Sequence, residues 1–401
     1  MLAWACVCKW LPKQRVAEPK NILVMVYGGV GDSVLMIPTL SLLREKCMHA
    51  KITLLVSTAS SGEAIFRAFP QFYDDIIVIS PAPLSWKEAI AHNLMLMRKK
   101  FDCVLISYIS AYSLSTLLPA MLSIPKQFIV FVDRHPLRKI YEMLFKERVM
   151  LMWESEQRSE TLLHQEMLRG IEPNYVPQSV PWRWSLPLPA TAYAIAKQWL
   201  RDNGLWDEQT NSAKAFALIH AGASEMQNYK KIPAPKLAEA INWLVKQGFA
   251  VVVIGTPDES KSLAELQAFT DVPLRGCFHL DLLSVCALIQ LSAVLLGNDS
   301  GLGHLGILLD TPTVRIFGPS FYWGFRKWKP GAFEDVFQPI ACSPCLRLGL
   351  LNTRGLNAHN CGHRNCLNEL DAGLLINSLQ TVLGVQANNA SSEKLNEIEP
   401  K

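Results

Sequence analysis

Twice in this chain a near-continuous apolar run ends in a turn built from glycine and aspartate and passes straight into a helical pattern, and this recurrence restricts the fold more than any other feature. The first unit runs from residues 21–27 through Gly28-Gly29-Val30-Gly31-Asp32-Ser33 into Val34, Leu35, Ile37, Leu40, Leu42 and Leu43. The second runs from residues 293–296 through Gly297-Asn298-Asp299-Ser300-Gly301-Leu302-Gly303-His304-Leu305, with Phe317-Gly318-Pro319 further on. An apolar run without alternation is expected of a parallel strand covered on both faces. The turn that follows such a strand lies at the carboxyl edge of the sheet, where open α/β sheets bind their ligands.

The second turn suits an anion. A helix opening at Ser300 presents unpaired backbone N–H groups and the positive end of its dipole. Asp299 and Ser300 are good capping residues, while Gly301 and Gly303 let a ligand approach the backbone. His304, four residues after Ser300, stands on the same helical face one turn deeper. A capped helix with one structural histidine is the plainer reading. In the first turn Gly29 and Gly31 form a glycine loop with Asp32 at its mouth, where Asp32 serves either as a helix cap or as a reactive carboxylate. This loop is not a dinucleotide fingerprint, because Val34 stands where a third glycine or alanine is needed. A nicotinamide oxidoreductase is therefore the weakest reading.

Alternation continues on both sides of a proline-rich stretch. Strand-like runs at 52–56, 76–79, 103–107 and 128–132 are separated by helical patterns at 59–69, 86–99 and 137–145, and a polar helix is expected near 155–168. Pro173, Pro177, Pro181, Pro187 and Pro189 then mark a stiff linker. Beyond it the pattern restarts, with strands at 216–220, 250–254, 294–296 and 313–317 and helices at 235–246, 263–269, 282–290, after Ser300 and at 372–383. The expected division is an N-terminal extension 1–20, a Rossmann-like domain 21–175, a linker 176–190, a second Rossmann-like domain 191–385 with a cysteine-rich loop 342–366, and a disordered tail 386–401. The fold class is α/β, two doubly wound domains facing across a cleft. With 401 residues, half of them apolar, both cores can be filled.

A formal charge of +4 with dispersed basic residues argues against a nucleic-acid protein. No apolar run reaches the roughly 18 residues of a membrane span, and residues 1–10 lack the arrangement of a cleavable signal, so the expected location is the cytoplasm. Trp4, Trp10, Lys9, Lys13 and Arg15 would suit either a peripheral membrane contact or a frayed terminus.

Further motifs follow the restart. In Ile219-His220-Ala221-Gly222-Ala223-Ser224, small residues end a strand, and Lys230-Lys231-Ile232-Pro233 follows; such a loop with a nearby lysine can hold a pyrophosphate, or the lysine is simply solvated. Gly255-Thr256-Pro257-Asp258-Glu259 closes another strand with carboxylates that either meet a ribose diol or offset a helix dipole. Of the ten cysteines, Cys342, Cys345, Cys361 and Cys366 form two close pairs around His359 and His363. That arrangement suits a structural zinc or a redox-sensitive clasp, with a catalytic metal the weaker alternative.

In order and spacing these motifs resemble the bacterial heptosyltransferase family of glycosyltransferases, family 9, over about residues 21–383: Gly29-Val30-Gly31-Asp32 with Pro38-Thr39-Leu40, His220 to Ser224 with Lys230 to Pro233, Gly255 to Glu259, and Asn298 to Leu305 with Phe317-Gly318-Pro319. The paired cysteines are similar to a feature of many members. The resemblance implies a GT-B fold and transfer of a sugar, with inversion, from a nucleotide-diphosphate donor such as ADP-heptose to a hydroxyl of a lipid-linked core or other envelope glycan, with no cofactor required for catalysis. Position by position it implies Asp32 as general base, Lys230 rather than Lys231 on the donor phosphate, Asp299, Ser300, Gly301 and His304 around the pyrophosphate, and Glu259 at the ribose. The chain departs from the family pattern at Ile232, where tryptophan is common, at Asp310, in a glycine's place, and at Arg315, which interrupts an apolar strand. The rival readings are a nucleotide-sugar epimerase or hydrolase on the same fold, which would consume donor without an acceptor, and a non-catalytic scaffold that docks partners through the cysteine loop.

Overall fold

The computed structural model describes the chain apart from residues 1–15, 17, 58–61, 80–93, 97, 108–126, 132–149, 152–158, 180, 224, 321–327, 346–360 and 385–401. The extension at 1–15, the helices expected at 137–145 and over most of 86–99, the tail and His359 lie outside the described residues.

Two six-stranded parallel sheets carry the fold. The first comprises β1 (Asn21–Val26), β2 (Lys51–Ser57), β3 (Asp75–Ile79), β4 (Cys103–Ile106), β5 (Gln127–Phe131) and β6 (Met150–Leu151), in the order β3-β2-β1-β4-β5-β6. A two-stranded ribbon, β7 (Trp206–Asp207) with β8 (Ser212–Ala213), precedes the second sheet. That sheet comprises β9 (Phe216–His220), β10 (Ala250–Ile254), β11 (Arg275–Cys277), β12 (Val294–Asn298), β13 (Thr313–Phe317) and β14 (Phe333–Phe337), in the order β11-β10-β9-β12-β13-β14. In each sheet the order reverses beside the first strand, at β1/β4 and at β9/β12. Ligands of open α/β sheets bind at such switch points.

Burial explains the sequence pattern. From Ile22 to Val26 every residue of β1 is within 1% of full burial, because helices cover both faces. Helix α1 (Val30–Lys46) leaves β1 with no loop beyond Tyr27 to Gly29 and buries Val34, Ile37 and Leu40, with α2 (Gly62–Arg67) beside it. Helix α3 (Glu160–Gln165) packs across α1, and the described residues of 171–189 form no helix or strand before α4 (Ala190–Asp202). Ala192, Ala196 and Leu200, spaced by four, form the buried stripe of α4. The second sheet is covered by α5 (Ala234–Lys246), α6 (Lys261–Gln267), α7 (Leu282–Leu291), α8 (Gly301–Leu308), the short α9 (Asn365–Asn368) and α10 (Ala372–Leu383).

The halves meet directly. Helix α8 packs on α1, and one apolar cluster extends from Val24, Val34 and Leu40 through Ala196 and Leu200 to Val285, Leu288, Leu305 and Leu308. Among the described residues, no helix is long and apolar enough to cross a membrane.

Candidate active site

Asp32 occupies the third position of α1 and folds back over the start of the helix, where its carboxylate accepts a hydrogen bond from the Gly29 N–H. That fold needs a glycine behind it: a Cβ on Gly28 would stand 2.4 Å from the Asp32 Cβ. Sequence reasoning chose Gly29 and Gly31, yet a Cβ on Gly29 would meet only ordinary contact at 3.5 Å. The sterically required pair is Gly28 and Gly31.

Behind Asp32 lies a carboxyl that the sequence did not reveal. Glu160 of α3, fully buried, shares a hydrogen bond with Asp32, and His164 Nε2 of the same helix lies 3.3 Å from Glu160 Oε1. Burial, and then the neighbouring Glu160, push the Asp32 carboxyl well above the ordinary carboxylate range, against the opposing pull of the Gly29 N–H and His164. Burial holds His164 down to about 4, so it is neutral at physiological pH.

On the facing wall, the turn after β12 opens α8. Ser300 is the extended residue preceding the helix, and Asp299, beside it, pairs with Lys230 at 2.8 Å. Asp299 is buried and Lys230 partly so; burial opposes their charges, but the mutual attraction wins, keeping the Asp299 carboxyl below and the Lys230 ammonium above its ordinary value. Lys231 turns away to Glu265, so Lys230 is the lysine presented to the cleft. Asn298, 1% exposed, accepts from the Ile232 N–H at 3.1 Å and donates to the Gly222 carbonyl at 3.0 Å. It thereby fastens the lysine loop and the His220 loop to the end of β12.

His304 is the point where the walls touch. A Cβ on Gly31 would come within 2.8 Å of its Cδ2, and a Cβ on Gly301 within 2.8 Å of the Val30 Cβ. Trp328 donates to His304 Nδ1 at 3.1 Å, which leaves the ring proton on Nε2. Arg315 Nη1 lies 3.4 Å from both ring nitrogens, hence over the ring face, and its guanidinium is forked onto Asp335, its register partner on β14, at 2.8 and 2.9 Å. Burial, followed by the Arg315 charge, holds His304 at about 3, a neutral imidazole. The buried ion pair with Asp335 accounts for the charged residue in an otherwise apolar strand.

Glu259 is held from several sides. Its carboxylate accepts from the Thr256 N–H at 2.8 Å and Oγ1 at 3.2 Å and lies 3.5 Å from His220 Nε2, in a slot that a Cβ on Gly222 or Gly255 would close. Burial raises its pKa, but the His220 and Thr256 contacts prevail and bring it down to about 2. Ser300 Oγ lies 3.0 Å from the other nitrogen of His220, Nδ1.

Cys342, Cys345, Cys361 and Cys366 line one cavity with Tyr229, Ser343 and His363. The cavity brings all four thiols together, but among the described residues no three His, Cys, Asp or Glu side chains form a group that could hold a metal. Cys361 Sγ accepts from the Arg364 N–H at 3.4 Å.

Comparison with known proteins extends these observations. Residues 180–349 match the family model for glycosyltransferase family 9 (heptosyltransferase). No curated protein matches the chain in sequence. Among solved structures, a family 9 glycosyl transferase from Veillonella parvula superposes with a TM-score of 0.67 at 17% identity, over 92% of this chain and 98% of that one. The Escherichia coli ADP-heptose lipopolysaccharide heptosyltransferase II gives 0.63 at 16% identity, over 90% and 98%. The E. coli heptosyltransferase WaaC, solved with ADP-2-deoxy-2-fluoro heptose, gives 0.55 at 16%, over 90% and 99%. These likenesses show the GT-B fold, and residues 180–349 carry the pattern of glycosyltransferase family 9.

Proposed function

We propose that the chain transfers a sugar, heptose or a close relative, from a nucleotide-diphosphate donor to a hydroxyl of a lipopolysaccharide core or similar envelope glycan, with inversion at the anomeric carbon. The observation that carries this reading is the meeting of two walls: Asp32 at the mouth of α1 faces, through Gly31 and His304, the helix end and lysine that suit a diphosphate. The neighbours named above support the donor class, since WaaC was solved with an ADP-sugar analogue.

In the proposed reaction the acceptor hydroxyl attacks the anomeric carbon as its proton passes to Asp32. The departing diphosphate takes up negative charge at the N–H groups of Ser300 and Gly301 and at Lys230, with the Nε2–H of His304 directed to the same cleft and the ribose beside Glu259. No divalent cation is required in this scheme. Enzyme without its carboxylate should bind donor and fail to turn it over. Asp32→Asn is expected to lower kcat by a factor of about 100 to 10,000 with ADP-sugar affinity retained. Near-wild-type transfer by that variant, in an assay with ADP-heptose and a core acceptor, rejects Asp32 as the base.

The four cysteines enter as a proposed structural zinc clasp, formed once the thiols close on an ion. Metal analysis of the purified protein is the check: about one zinc per chain, lost in Cys361→Ser, is expected, and a metal-free wild type rejects it. Placement in the cytoplasm, peripheral to the inner membrane, fits an acceptor that carries a lipid.

A further inference from the structure

A second line of side chains runs behind the anion cradle: Glu259, His220 and Ser300, each from a different strand end. His220 closes β9 and lies opposite Gly297 of β12, where a Cβ would stand 2.9 Å from its own. Its Nε2 faces Glu259 Oε1 at 3.5 Å and its Nδ1 faces Ser300 Oγ at 3.0 Å. The histidine is 5% exposed, and its two ring nitrogens are each committed to one named partner. The other charged groups nearby are Asp299 and Lys230, already paired with one another.

Hydrogen-bond bookkeeping fixes what such a line can do. Glu259 is an acceptor only, so Nε2 carries a proton toward it whatever the rest of the ring does. With a neutral ring, Nδ1 holds a lone pair, the Ser300 hydroxyl must donate to it, and the oxygen lone pairs of Ser300 face the cleft. With a protonated ring, Nδ1–H donates to Ser300 Oγ and the hydroxyl hydrogen is freed to point at a ligand. An anion at the end of α8 repels the first arrangement and is bonded by the second. Lys230 brings no net charge to the cradle until the anion competes with Asp299 for it, which leaves a proton on His220 as a direct way to balance the arriving charge.

We infer that occupation of the α8 end by a diphosphate loads a proton onto His220, which turns the Ser300 hydroxyl into a donor to that ligand, with Glu259 holding the imidazolium. This rests on the nucleotide-diphosphate reading above. It makes His220 a positioning residue that acts through Ser300, and it makes donor binding proton-linked.

Titration calorimetry of ADP into the full chain at pH 7.5, in buffers of different ionisation heat, measures the protons taken up. The wild type is expected to take up more protons per ADP than His220→Asn, whose side-chain amide supplies a fixed donor near the Nδ1 position without titrating. Subtracting the variant also removes the proton balance of the nucleotide itself. His220→Asn should keep ADP affinity within about threefold, while His220→Leu loses about tenfold. Equal uptake by wild type and His220→Asn overturns the inference. If the variant fails to fold, ring nitrogen resonances of the wild type carry the test: one histidine must pass from a singly to a doubly protonated ring on saturation with ADP, and the absence of any such change overturns it equally. Failure of the wild type to bind any nucleoside diphosphate would instead reject the donor-site reading itself, and this inference with it.

Discussion

At the scale of single residues, the candidate base is the least comfortable group in the site. Asp32 has its pKa raised by burial and by Glu160, so folding favours its protonated form. The stability that this supplies is complete below the unfolded value near 3.8 and disappears as pH rises through the higher folded value. At neutral pH the ionised form therefore weighs against the fold, by about 1.4 kcal/mol for each unit of elevation. Asp32→Asn keeps an oxygen for the Gly29 N–H and adds a donor for Glu160. It is expected to melt higher than wild type at pH 7.5 and no higher at pH 3, and thermal melts at the two values decide it. Activity and stability then move in opposite directions, as they do where a reactive group is held in a costly state.

Among elements, the crossing of α1 and α8 is held together by what is missing from it. His304 sits between Arg315 and Trp328 and has no room to retreat when a methyl group arrives from Gly31. Gly31→Ala is expected to lower stability by about 1–3 kcal/mol through overpacking, whereas Gly29→Ala, whose Cβ meets nothing closer than 3.5 Å, is expected to change it by less than about 0.5 kcal/mol. Denaturant midpoints of the two variants, compared directly, test the contrast. Both glycines belong to one recognisable turn, and sequence alone could not rank them. The strands, by contrast, were legible: β9, β10 and β13 begin and end where their apolar runs do, because unbroken burial on both faces leaves few polar residues to blur the limits. Short β11 and β14 went unseen, since Arg275-Gly276-Cys277 and Phe333–Phe337 carry charge or too few residues to register as apolar runs. Asp32, Lys230 and the Ser300 turn could be singled out as candidates because strand ends in open sheets are where ligands go. Glu160, His164, Trp328 and Asp335 could not, since only tertiary packing brings them to residues far away in the chain.

For the molecule as a whole, the seam between the halves bears on more than catalysis. The described residues of the proline-bearing segment after Gly170 form no helix or strand, yet Trp182 packs against Trp328 with ring centroids 4.1 Å apart and the rings tilted by 54°. The joint is therefore anchored to the same loop that orients His304. Together with the apolar cluster that crosses from β1 to α7 and α8, this ties one face of the second half to the first, while its other face keeps a cluster of its own that runs from Ala217 to Val382. Each half lends the other part of its melting resistance, so a ligand gripped on one side firms up the opposite side too, with no dedicated messenger between them.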